Sequence, residues 1–566
     1  MNLLEKHFDL AFAAPDGIRK LRELILTLAM QGKLVPQDPS DQPASELLRA
    51  IEAGKQRLAN DGKIKQPKTL PEIKEGELPY RLPSGWEWVR LGCLVNVKSS
   101  KRIFESDYCD SGVPFYRSRE IGELAKNGYC EDRFFISEAK YSEISKGYGV
   151  PKKGDVLLTS VGSIGGCWIV DNRKFYYKDG NVTQLEIGDC VDSSYIITFI
   201  GSNIFTSQVL NSVSGTAYNA LTIVKIKGLL FPLPPLAEQH RIVAKIDRLM
   251  ARCDELEKLR AERKQKRIAI HTAALDRLLT AKESSDFSTA WRFITQHFGE
   301  LYSVKENVAE LRKAILQLAV MGKLVPQDPT DEPASELLKA IEVEKERLIK
   351  EEKIKRQKAL PEIIDEEKDF ILPSRWEWAR LQNVLDVRDG THYSPMDATG
   401  SDTYPFVTSK NFVNGKIDFS TVRRISAKDH FEFTKRSKVD KLDILFSMIG
   451  GNIGNQVIVE DECDFSIKNV ALFKYYNKQL TNPYFIKIYL EHLANGLQAK
   501  AAGGAQPFVS LAFLRNLVIA LPPKEEQSRL VAKTNSLMAL CDRLEQQIDA
   551  ATSKRTELLK ALMAQV

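Results

Sequence analysis

The stretch MGKLVPQDPTDEPASELLKAIE, residues 321–342, decides the organisation of the chain, because it is nearly a copy of QGKLVPQDPSDQPASELLRAIE, residues 31–52. Between residues 21–58 and 311–348, 27 of 38 aligned positions are identical. Such self-similarity at a fixed offset, here 290 positions, is the signature of an internal repeat. The sequence therefore predicts a duplicated structural element rather than one continuous domain.

Two further matched blocks extend the repeat. LPSGWEWVRLG at 82–92 matches LPSRWEWARLQ at 372–382, again 290 positions later. LPPLAEQHRIVAKIDRLMARCDELE at 233–257 matches LPPKEEQSRLVAKTNSLMALCDRLE, 288 positions later. Between these blocks the two copies resemble each other only in fragments. Two similar frames therefore carry two dissimilar inserts of nearly equal length, residues 93–231 and 383–519.

The length, net charge and cysteine content of the chain limit the class of protein. A length of 566 residues predicts about three or four domains. The net charge of +6, from 81 basic and 75 acidic residues, is a weak basic bias that permits a nucleic-acid partner. Eight widely spaced cysteines without CxxC spacing argue against a zinc site and predict reduced thiols in the cytoplasm. We expect no signal peptide and no membrane span.

Helices are predicted for both frames. In LRKAILQLAVMGKLV, Leu311, Ile315 and Leu318 share one face, and the following VPQDP is expected to break the helix. A charged helix is predicted to follow in ASELLKAIEVEKERLIKEEKIK. After each insert, LPP ends a strand and a long helix begins, about 45 residues long in the first copy.

The long helices have the spacing of a coiled-coil seam. Apolar side chains recur in steps of four and three. In the first copy they are Ile242, Ile246, Leu249, Cys253 and Leu256, and in the second Leu530, Thr534, Leu537, Cys541, Leu544, Ile548 and Ala551. We expect the two helices to pack on each other, with ordinary core helices as the alternative.

The inserts are predicted to be compact mixed α/β domains. Short β-rich runs, GDVLLTS, CWIVD and VTQLEI, alternate with Gly, Asp and Asn turns. The helical runs YIITFIGSNIFTSQVL and PYFIKIYLEHLANGLQ follow later in the first and second insert, respectively.

A search for catalytic motifs finds none. The chain has no GxxxxGK[ST] phosphate loop, no GxGxxG after a strand, and no HExxH or GxSxG. TNPYF at 481–485 lacks the second proline of an amino-methyltransferase loop, so Asn482 and Pro483 are interpreted as a helix start. The sequence predicts a protein without its own catalytic centre.

Polar loops in the inserts are candidates for DNA contact. Each insert has a glycine turn after an apolar strand, SVGSIGG and SMIGGNIG, whose backbone NH groups can approach a phosphate. The WEW motifs are followed by NVKSSKRIF and FYRSREIG in the first insert and by DVRDGTHYS and FVTSKNFV in the second. The alternatives are plain strand-to-strand turns and solvated loops.

These motifs together resemble the specificity (S) subunit of Type I restriction-modification systems. The resemblance covers essentially the whole chain. It rests on the doubled GKLVPQDP…PASELL frame, the doubled LPxxWEWxRL block, the glycine-turn strands and the LPPxxEQxR(I/L)VAK start of each long helix. It implies two target recognition domains that each read one half of a split DNA site, held apart by the two long helices.

The resemblance also implies the fold and its boundaries. The expected fold is mixed α/β, with two tandem pseudo-repeats, each a helical frame plus a globular target recognition domain, and two long helices packed as an antiparallel coiled-coil spacer. The expected order is frame 1–81, recognition domain 82–235, spacer helix 236–283, frame 284–371, recognition domain 372–523 and spacer helix 524–566.

The partners and cofactors follow from the same resemblance. We expect double-stranded DNA, two methyltransferase subunits that methylate adenine and, for restriction, two translocase-nuclease subunits, all in the cytoplasm and without a membrane. S-adenosylmethionine, ATP and Mg would be used by the partner subunits, and none by this chain.

By family pattern, sixteen residues are candidate DNA contacts. In the first domain they are Lys98, Ser99, Lys101, Arg117, Arg119, Thr159, Ser160 and Ser163. In the second they are Arg388, Thr391, His392, Ser409, Lys410, Asn411, Ser447 and Asn452. The first domain's GSIGG departs from the family pattern more than the GGNIG of the second.

Two other functions stay open. One is a non-catalytic coiled-coil scaffold whose inserts bind proteins rather than DNA. The other is a fused enzyme with its own methyltransferase or nuclease, which the missing motifs disfavour. Binding to DNA in the presence of a methyltransferase would distinguish them.

Overall fold

The computed structural model describes two compact units. The described residues are 9–61, 70–162, 164–178, 180–213, 220–501 and 508–564. Unit 1 contains the described residues up to Glu262 together with those from Ala551 onward, and unit 2 contains Arg263–Ala550. Each unit therefore combines one repeat with part of the other repeat's long helix.

Unit 1 combines helices with ten strands among its described residues; residues 9–12 and 551–563 are also helical. Its helices are α1 Gly17–Met30, α2 Ala44–Asn60, α3 Leu91–Leu94, α4 Ser118–Asn127, α5 Glu138–Gly147, α6 Ser193–Ile200, α7 Asn203–Val213, α8 Ile223–Gly228 and the start of the 45-residue α9 Leu236–Thr280. Its strands are β1 Glu87–Arg90, β2 Asn96–Lys98, β3 Tyr108–Cys109, β4 Val113–Tyr116, β5 Phe135–Ile136, β6 Val156–Thr159, β7 Cys167–Ile169, β8 Tyr176–Tyr177, β9 Val182–Glu186 and β10 Leu230–Leu233.

Unit 2 repeats this order with its own connections. After the end of α9, its helices are α10 Ser284–Gln296, α11 Phe298–Leu301, α12 Lys305–Val320, α13 Ala334–Lys350, α14 Leu381–Val384, α15 Ala427–Ser437, α16 Pro483–Ala501, α17 Leu511–Asn516 and most of α18 Lys524–Met563. Its strands are β11 Glu377–Arg380, β12 Leu385–Asp389, β13 Thr403–Val407, β14 Phe412–Val413, β15 Lys416–Ile417, β16 Arg423–Ser426, β17 Ile444–Ser447, β18 Gln456–Ile458, β19 Ser466–Ile467, β20 Val470–Tyr475 and β21 Val518–Leu521.

In each repeat the GKLV motif follows the end of a frame helix, α1 in the first and α12 in the second. Gly32 has a φ of 67°, and the Lys33 NH bonds back to the Leu28 carbonyl at 2.8 Å. This left-handed ending is available to glycine at no steric cost. The helix was expected to continue through GKLV to the proline. That expectation is wrong, since glycine ends α1 and α12 before the proline is reached.

Each insert is closed by a two-stranded antiparallel ladder. The WEW strand β1 pairs with β10, and in the second copy β11 pairs with β21. Directly beyond these ladders the Leu91 NH donates to the Leu229 carbonyl, and the Leu381 NH to that of Leu517, both at 2.8 Å. The two ends of each insert therefore lie side by side on their frame.

Inside each insert, a four-stranded antiparallel sheet lies beside a smaller sheet, whose strands contain fewer residues in total and number four in the first domain and three in the second. The strand orders of the larger sheets are β2-β9-β6-β7 and β12-β20-β17-β18. Each smaller sheet contains one parallel pair, β4 with β8 in the first domain and β13 with β19 in the second. The predicted strands β6, β7 and β9 are confirmed, as is the helix start at Pro483. The mixed α/β class and the tandem repeat are confirmed as well.

Several heptad residues of α9 pack in the core of the first repeat, whereas the heptad residue Leu256 is 45% exposed. Ile242, Ile246 and Cys253 share a core with Ile18 and Ile25 of α1. Beside this core, an ion pair from α1 recurs at the matched position of α12. Its distances are 2.7 Å for Arg22–Asp254 and 2.6 Å for Arg312–Asp542. The packing of the two long helices on each other stays a prediction.

The far end of each long helix completes the other repeat's frame. In unit 1, Leu559 and Leu562 of α18 are buried with Phe12 and Leu24. In unit 2, the end of α9 shares a core with α12 through Ala274, Leu275, Leu278, Ala314 and Ile315. Neither frame is therefore completed by its own repeat alone.

A buried glutamate joins the first frame to the start of its long helix. Glu238 is 1% exposed and accepts hydrogen bonds from Trp86 Nε1 and Gln37 Nε2, both at 3.0 Å. The second copy repeats these contacts with Glu526, Trp376 and Gln327. Burial raises the pKa of both carboxyl groups, although the hydrogen bonds oppose that rise.

Candidate nucleic-acid interface

The topology of the first domain gathers three separate chain segments at one sheet edge. Strands β2 and β6 pair antiparallel with β9 on its two sides; β6 ends opposite Val182, the first residue of β9, and β2 ends opposite Gln184, two residues further along. Strand β4 runs parallel to β8, and the Lys178 NH donates to the Tyr116 carbonyl at 2.9 Å. The Asn181 carbonyl then accepts from Ser118 Oγ at 3.3 Å and from the Ser160 NH at 2.8 Å. We call residues 98–101, 117–119 and 159–162 the first loop edge.

The second domain builds the same edge. The Gly390 NH donates to the Val470 carbonyl at 3.0 Å, and Ser447 pairs with Val470 on the other side of β20. The Lys468 NH donates to the Val407 carbonyl at 2.9 Å, as Lys178 does to Tyr116. We call residues 388–392, 408–411 and 447–455 the second loop edge.

The glycine loops of the two edges are held by equivalent hydrogen bonds. The Gly165 NH donates to the Thr159 carbonyl at 3.2 Å, and the Gly454 NH donates to the Ser447 carbonyl at 2.9 Å. Gly454 has a φ of 83°, and a Cβ atom there would lie 2.5 Å from the Cβ of Ala494. The close approach thus requires glycine at Gly454, and the positive φ of 102° at Gly165 favours glycine in the first domain as well.

The predicted cations of the first loop edge differ in the contacts that their charged groups make with other side chains of the protein. Lys98 Nζ lies 3.3 Å from Glu186 Oε1, and Arg119 Nε lies 3.0 Å from Glu123 Oε1. Lys101 Nζ donates to Tyr148 Oη at 3.1 Å, while Ser99 is exposed. The guanidinium of Arg117 lies over the ring of Phe134. These four cations and Ser99 are thus at or near the surface of one edge.

The hydroxyl residues of this glycine turn lie deeper. Thr159 and Ser160 are buried; Thr159 Oγ1 accepts from the Gly166 NH, and Ser160 Oγ pairs with Thr183 Oγ1 at 2.7 Å. They hold the loop in shape beneath the surface. As DNA contacts they stay a prediction, and the predicted Ser163 lies outside the described residues.

In the second domain, Arg388 is the structural equivalent of Lys98. Its guanidinium pairs with Asp386 at 2.6 Å and donates to the Arg436 carbonyl at 3.1 Å. His392 is exposed, with Nε2 3.2 Å from Asp389 and Nδ1 2.8 Å from Asn469 Oδ1. Thr391 bridges to Lys468 through the backbone.

The other predicted residues of the second domain divide between surface and interior. Lys410 and Asn452 are exposed and Ser409 is half-buried. Asn411 is buried, and its Oδ1 accepts from the Thr408 NH at 2.9 Å. Ser447 is fully buried at the end of β17. The topology brings all these segments to one edge, but only the exposed ones present side chains there.

Three polar residues that lie beside the second loop edge were missed from the sequence. Arg436 pairs with Asp389, Lys468 contacts Ser394, and Asn469 holds the ring of His392. Arg436 lies in the last turn of helix α15, whose approach to β12 depends on the tertiary fold. Asn469 has a φ of 53°, and an Asn between two apolar strands is the one signal that predicts such a turn.

Charged groups on α4 order the surface beside Arg117. Arg133 and Arg119 both donate to Glu123 and lower the pKa of that carboxyl. Arg133 also donates to Oε1 of the buried Glu120 at 3.2 Å. The acidic side chains of this surface are therefore paired.

The described ranges contain neither a metal-binding cluster nor a membrane-spanning helix. Among those residues, no group of three or more His, Cys, Asp or Glu side chains is placed to hold a metal ion. No helix in the same ranges is both long and apolar enough to cross a membrane.

Comparisons with known proteins agree on one family. The family model described as "Type I restriction modification DNA specificity domain" matches residues 83–265 and 373–552. The Type I restriction enzyme EcoAI specificity subunit of Escherichia coli is 33% identical over 563 residues, covering 96% of this chain and 93% of that protein. The EcoEI specificity subunit of Escherichia coli is 31% identical over 574 residues, with the same coverage. The crystal structure of the HsdS subunit from Thermoanaerobacter tengcongensis matches at 18% identity and a TM-score of 0.42, covering 85% of this chain and 97% of that chain.

Proposed function

The chain belongs to the family of type I restriction-modification specificity subunits, and from this premise we propose that it reads a split DNA site through its two loop edges. The observation that carries the proposal is the equivalence of those edges. Equivalent strand ends in the two domains are held by equivalent backbone hydrogen bonds, but they carry different polar side chains. A shared scaffold with different side chains suits two half-sites of different sequence.

The duplicated frames support docking of two similar partner subunits. In both copies one face of the helix that follows the VPQDP turn is exposed, including Glu46 and Glu52 in the first and Glu336 and Glu342 in the second. Two near-identical surfaces on one polypeptide give a pseudo-symmetric arrangement. We propose that they bind two methyltransferase subunits, with two translocase-nuclease subunits joining for restriction.

The chemistry of this complex is assigned to the partners. Under the proposal the chain contributes DNA recognition and assembly but no catalytic group. S-adenosylmethionine, ATP and Mg would act in the partner subunits. The purified chain alone should therefore leave DNA unmodified when S-adenosylmethionine is supplied.

The proposal is tested by co-expressing the chain with its methyltransferase and mapping N6-methyladenine across the host genome. We expect one split motif with a modified adenine in each half. The matched control is the methyltransferase expressed without this chain, which should give no such motif. A continuous motif, or no modification, would contradict the proposal and favour a scaffold whose inserts bind proteins.

A further inference from the structure

We propose that Arg117 is a specificity-determining residue that reads a guanine in the half-site of the first domain. This inference rests on the proposed function and deepens it, because it assigns one base pair to one side chain. It combines three observations: the position of the guanidinium is fixed, its terminal nitrogens are unengaged, and the equivalent position in the second domain carries a different residue.

The guanidinium of Arg117 is held in place by an aromatic ring. Its Cζ lies 3.7 Å from the ring centroid of Phe134. The Phe134 backbone is held by a hydrogen bond from the Phe115 NH of β4 to its carbonyl at 2.8 Å, and its ring packs on that of Tyr108, with 5.5 Å between the ring centroids. A planar guanidinium stacked on a fixed ring has little rotamer freedom left to lose when it binds.

Most guanidinium donors of Arg117 are not used in hydrogen bonds within the described part of the chain. Within the described part of the chain, neither terminal nitrogen of its guanidinium has a hydrogen-bond partner, and its Nε is 3.7 Å from Glu120 Oε2. Glu120 is already engaged by Arg133 and by the Arg117 backbone NH at 3.0 Å. The side chain is 33% exposed, so it reaches the surface of the first loop edge.

Arg117 differs in this respect from three of the other predicted cations. Lys98 is paired with Glu186, Arg119 with Glu123, and Arg388 of the second domain with Asp386. Those carboxylates take the donors that a base edge or phosphate would need. Two parallel donors on a rigid guanidinium match the O6 and N7 acceptors of guanine in the major groove.

The second domain carries threonine at the equivalent position. Thr408 directly follows β13 as Arg117 follows β4, and in each case the side chain three residues later caps the backbone NH. That residue is Glu120 in the first domain and Asn411 in the second. Thr408 Oγ1 is also bonded to Asn411, at 3.1 Å. The equivalent position thus carries a bidentate guanidinium donor in the first domain and a short hydroxyl group in the second.

The test compares Arg117→Ala and Arg117→Lys with the wild-type chain, each in complex with the methyltransferase. Genome-wide N6-methyladenine maps give the motif, and competition with duplexes substituted at each base pair gives relative affinities. We expect both variants to lose discrimination at one G·C pair of one half-site, by about tenfold to a hundredfold. The other half-site should stay unchanged and serves as an internal reference.

Arg173→Ala is the matched control variant. Arg173 also stacks on an aromatic ring, with its Cζ 5.1 Å from the ring centroid of Trp168, but its donors are bound to Asp171. It follows the end of β7 that points away from the glycine turn. We expect the motif of this variant to match that of the wild type.

Each outcome bears on the proposal. A uniform loss of affinity with an unchanged motif would mark Arg117 as a phosphate contact and overturn it. Loss of folding or of all DNA binding in both variants would overturn it too, because a structural role would then suffice. If the wild-type complex itself gives no split motif, the proposed function fails instead.

Discussion

At the scale of single residues, Glu238 and Glu526 connect the folding of each frame to pH. Each carboxyl is buried yet accepts hydrogen bonds from a tryptophan and a glutamine. Burial disfavours the charged form more than these bonds restore it, so the pKa is raised above its ordinary value of 4.5 in both copies. The folded chain therefore binds these protons more tightly than the unfolded chain does.

This leads to a prediction for the double variant Glu238→Gln, Glu526→Gln. A raised folded-state pKa contributes stability that is fully present below the unfolded value, about 4.5, and is lost as pH rises through the folded value. The wild type should therefore lose stability relative to the variant across that window, by at most about 1.4 kcal/mol per pH unit for each glutamate. Urea unfolding at a series of pH values measures the difference.

The control for that experiment is Glu46→Gln, Glu336→Gln, which changes two exposed glutamates of the same frames. Its unfolding should follow the wild-type pH dependence. A difference between wild type and the buried double variant that does not change with pH would contradict the assignment of raised pKa values to Glu238 and Glu526.

Individual candidate contacts were harder to predict than the segments that carry them. The sequence identified which loops are polar, and the topology gathers those loops at one edge. It could not reveal that Ser160 faces Thr183 inside the sheet, or that Asp386 engages Arg388. These contacts depend on strand pairing and on the direction of each side chain. Neither can be inferred from the presence of a polar residue in a loop.

At the scale of elements, the long helices α9 and α18 illustrate the limits of periodicity. Their heptad spacing predicted length and position well, since α9 has the expected 45 residues. Periodicity identifies an apolar face but not the surface that covers it. Near the start of α9 that surface is the frame helix α1, and at the end of α18 it is again α1.

This packing predicts the effect of Leu559→Ala. Leu559 is 3% exposed in the core of unit 1, at the opposite end of the sequence from its neighbour Leu24. Removing a buried leucine side chain costs about 2–5 kcal/mol. We expect faster amide hydrogen exchange in α1 of unit 1, while exchange in α12 of unit 2 stays unchanged.

Leu540→Ala is the control on the same helix, because Leu540 is 44% exposed. A surface substitution of this kind is expected to change stability by less than about 0.5 kcal/mol. Equal effects of the two variants, or an effect of Leu559→Ala confined to α12, would contradict the packing of α18 against α1.

At the scale of the whole molecule, the chain is two frames that accept inserts through equivalent junctions. The Leu91–Leu229 and Leu381–Leu517 hydrogen bonds close the inserts in the same way. An insert thus leaves and rejoins its frame at one place. This arrangement explains why the frames can stay alike while the inserts differ.

A chain that carries the second insert in both frames tests this modularity. Replacing residues 91–229 with a copy of residues 381–517 keeps both junction leucines. We expect methylation at a site whose two halves have the same sequence, with the first domain's half-site lost. The reciprocal chain, with the first insert in both frames, should give the other half-site twice. Retention of the original motif by either chain would contradict the assignment of one half-site to each insert.

The spacer prediction also belongs to this scale. Each long helix begins in one unit and ends in the other, with boundaries after Glu262 and Ala550. Seven residues inserted at both boundaries lengthen each helix by about 10.5 Å. At about 3.4 Å per base pair, the unspecified spacer should grow by about three base pairs with both half-sites unchanged. Methylation mapping measures the spacer, and an unchanged length would contradict this role of the helices.

The side-by-side ends of each insert also matter for how such a gene changes over generations. A crossover within the coding sequence of one matched block and a second within the next would exchange a complete insert and leave every frame residue in place. No compensating change would be required at Leu91 or Leu229, because the incoming insert meets the same backbone bond. Specificity would then be inherited in whole blocks, and a lineage could acquire a new target in a single recombination event.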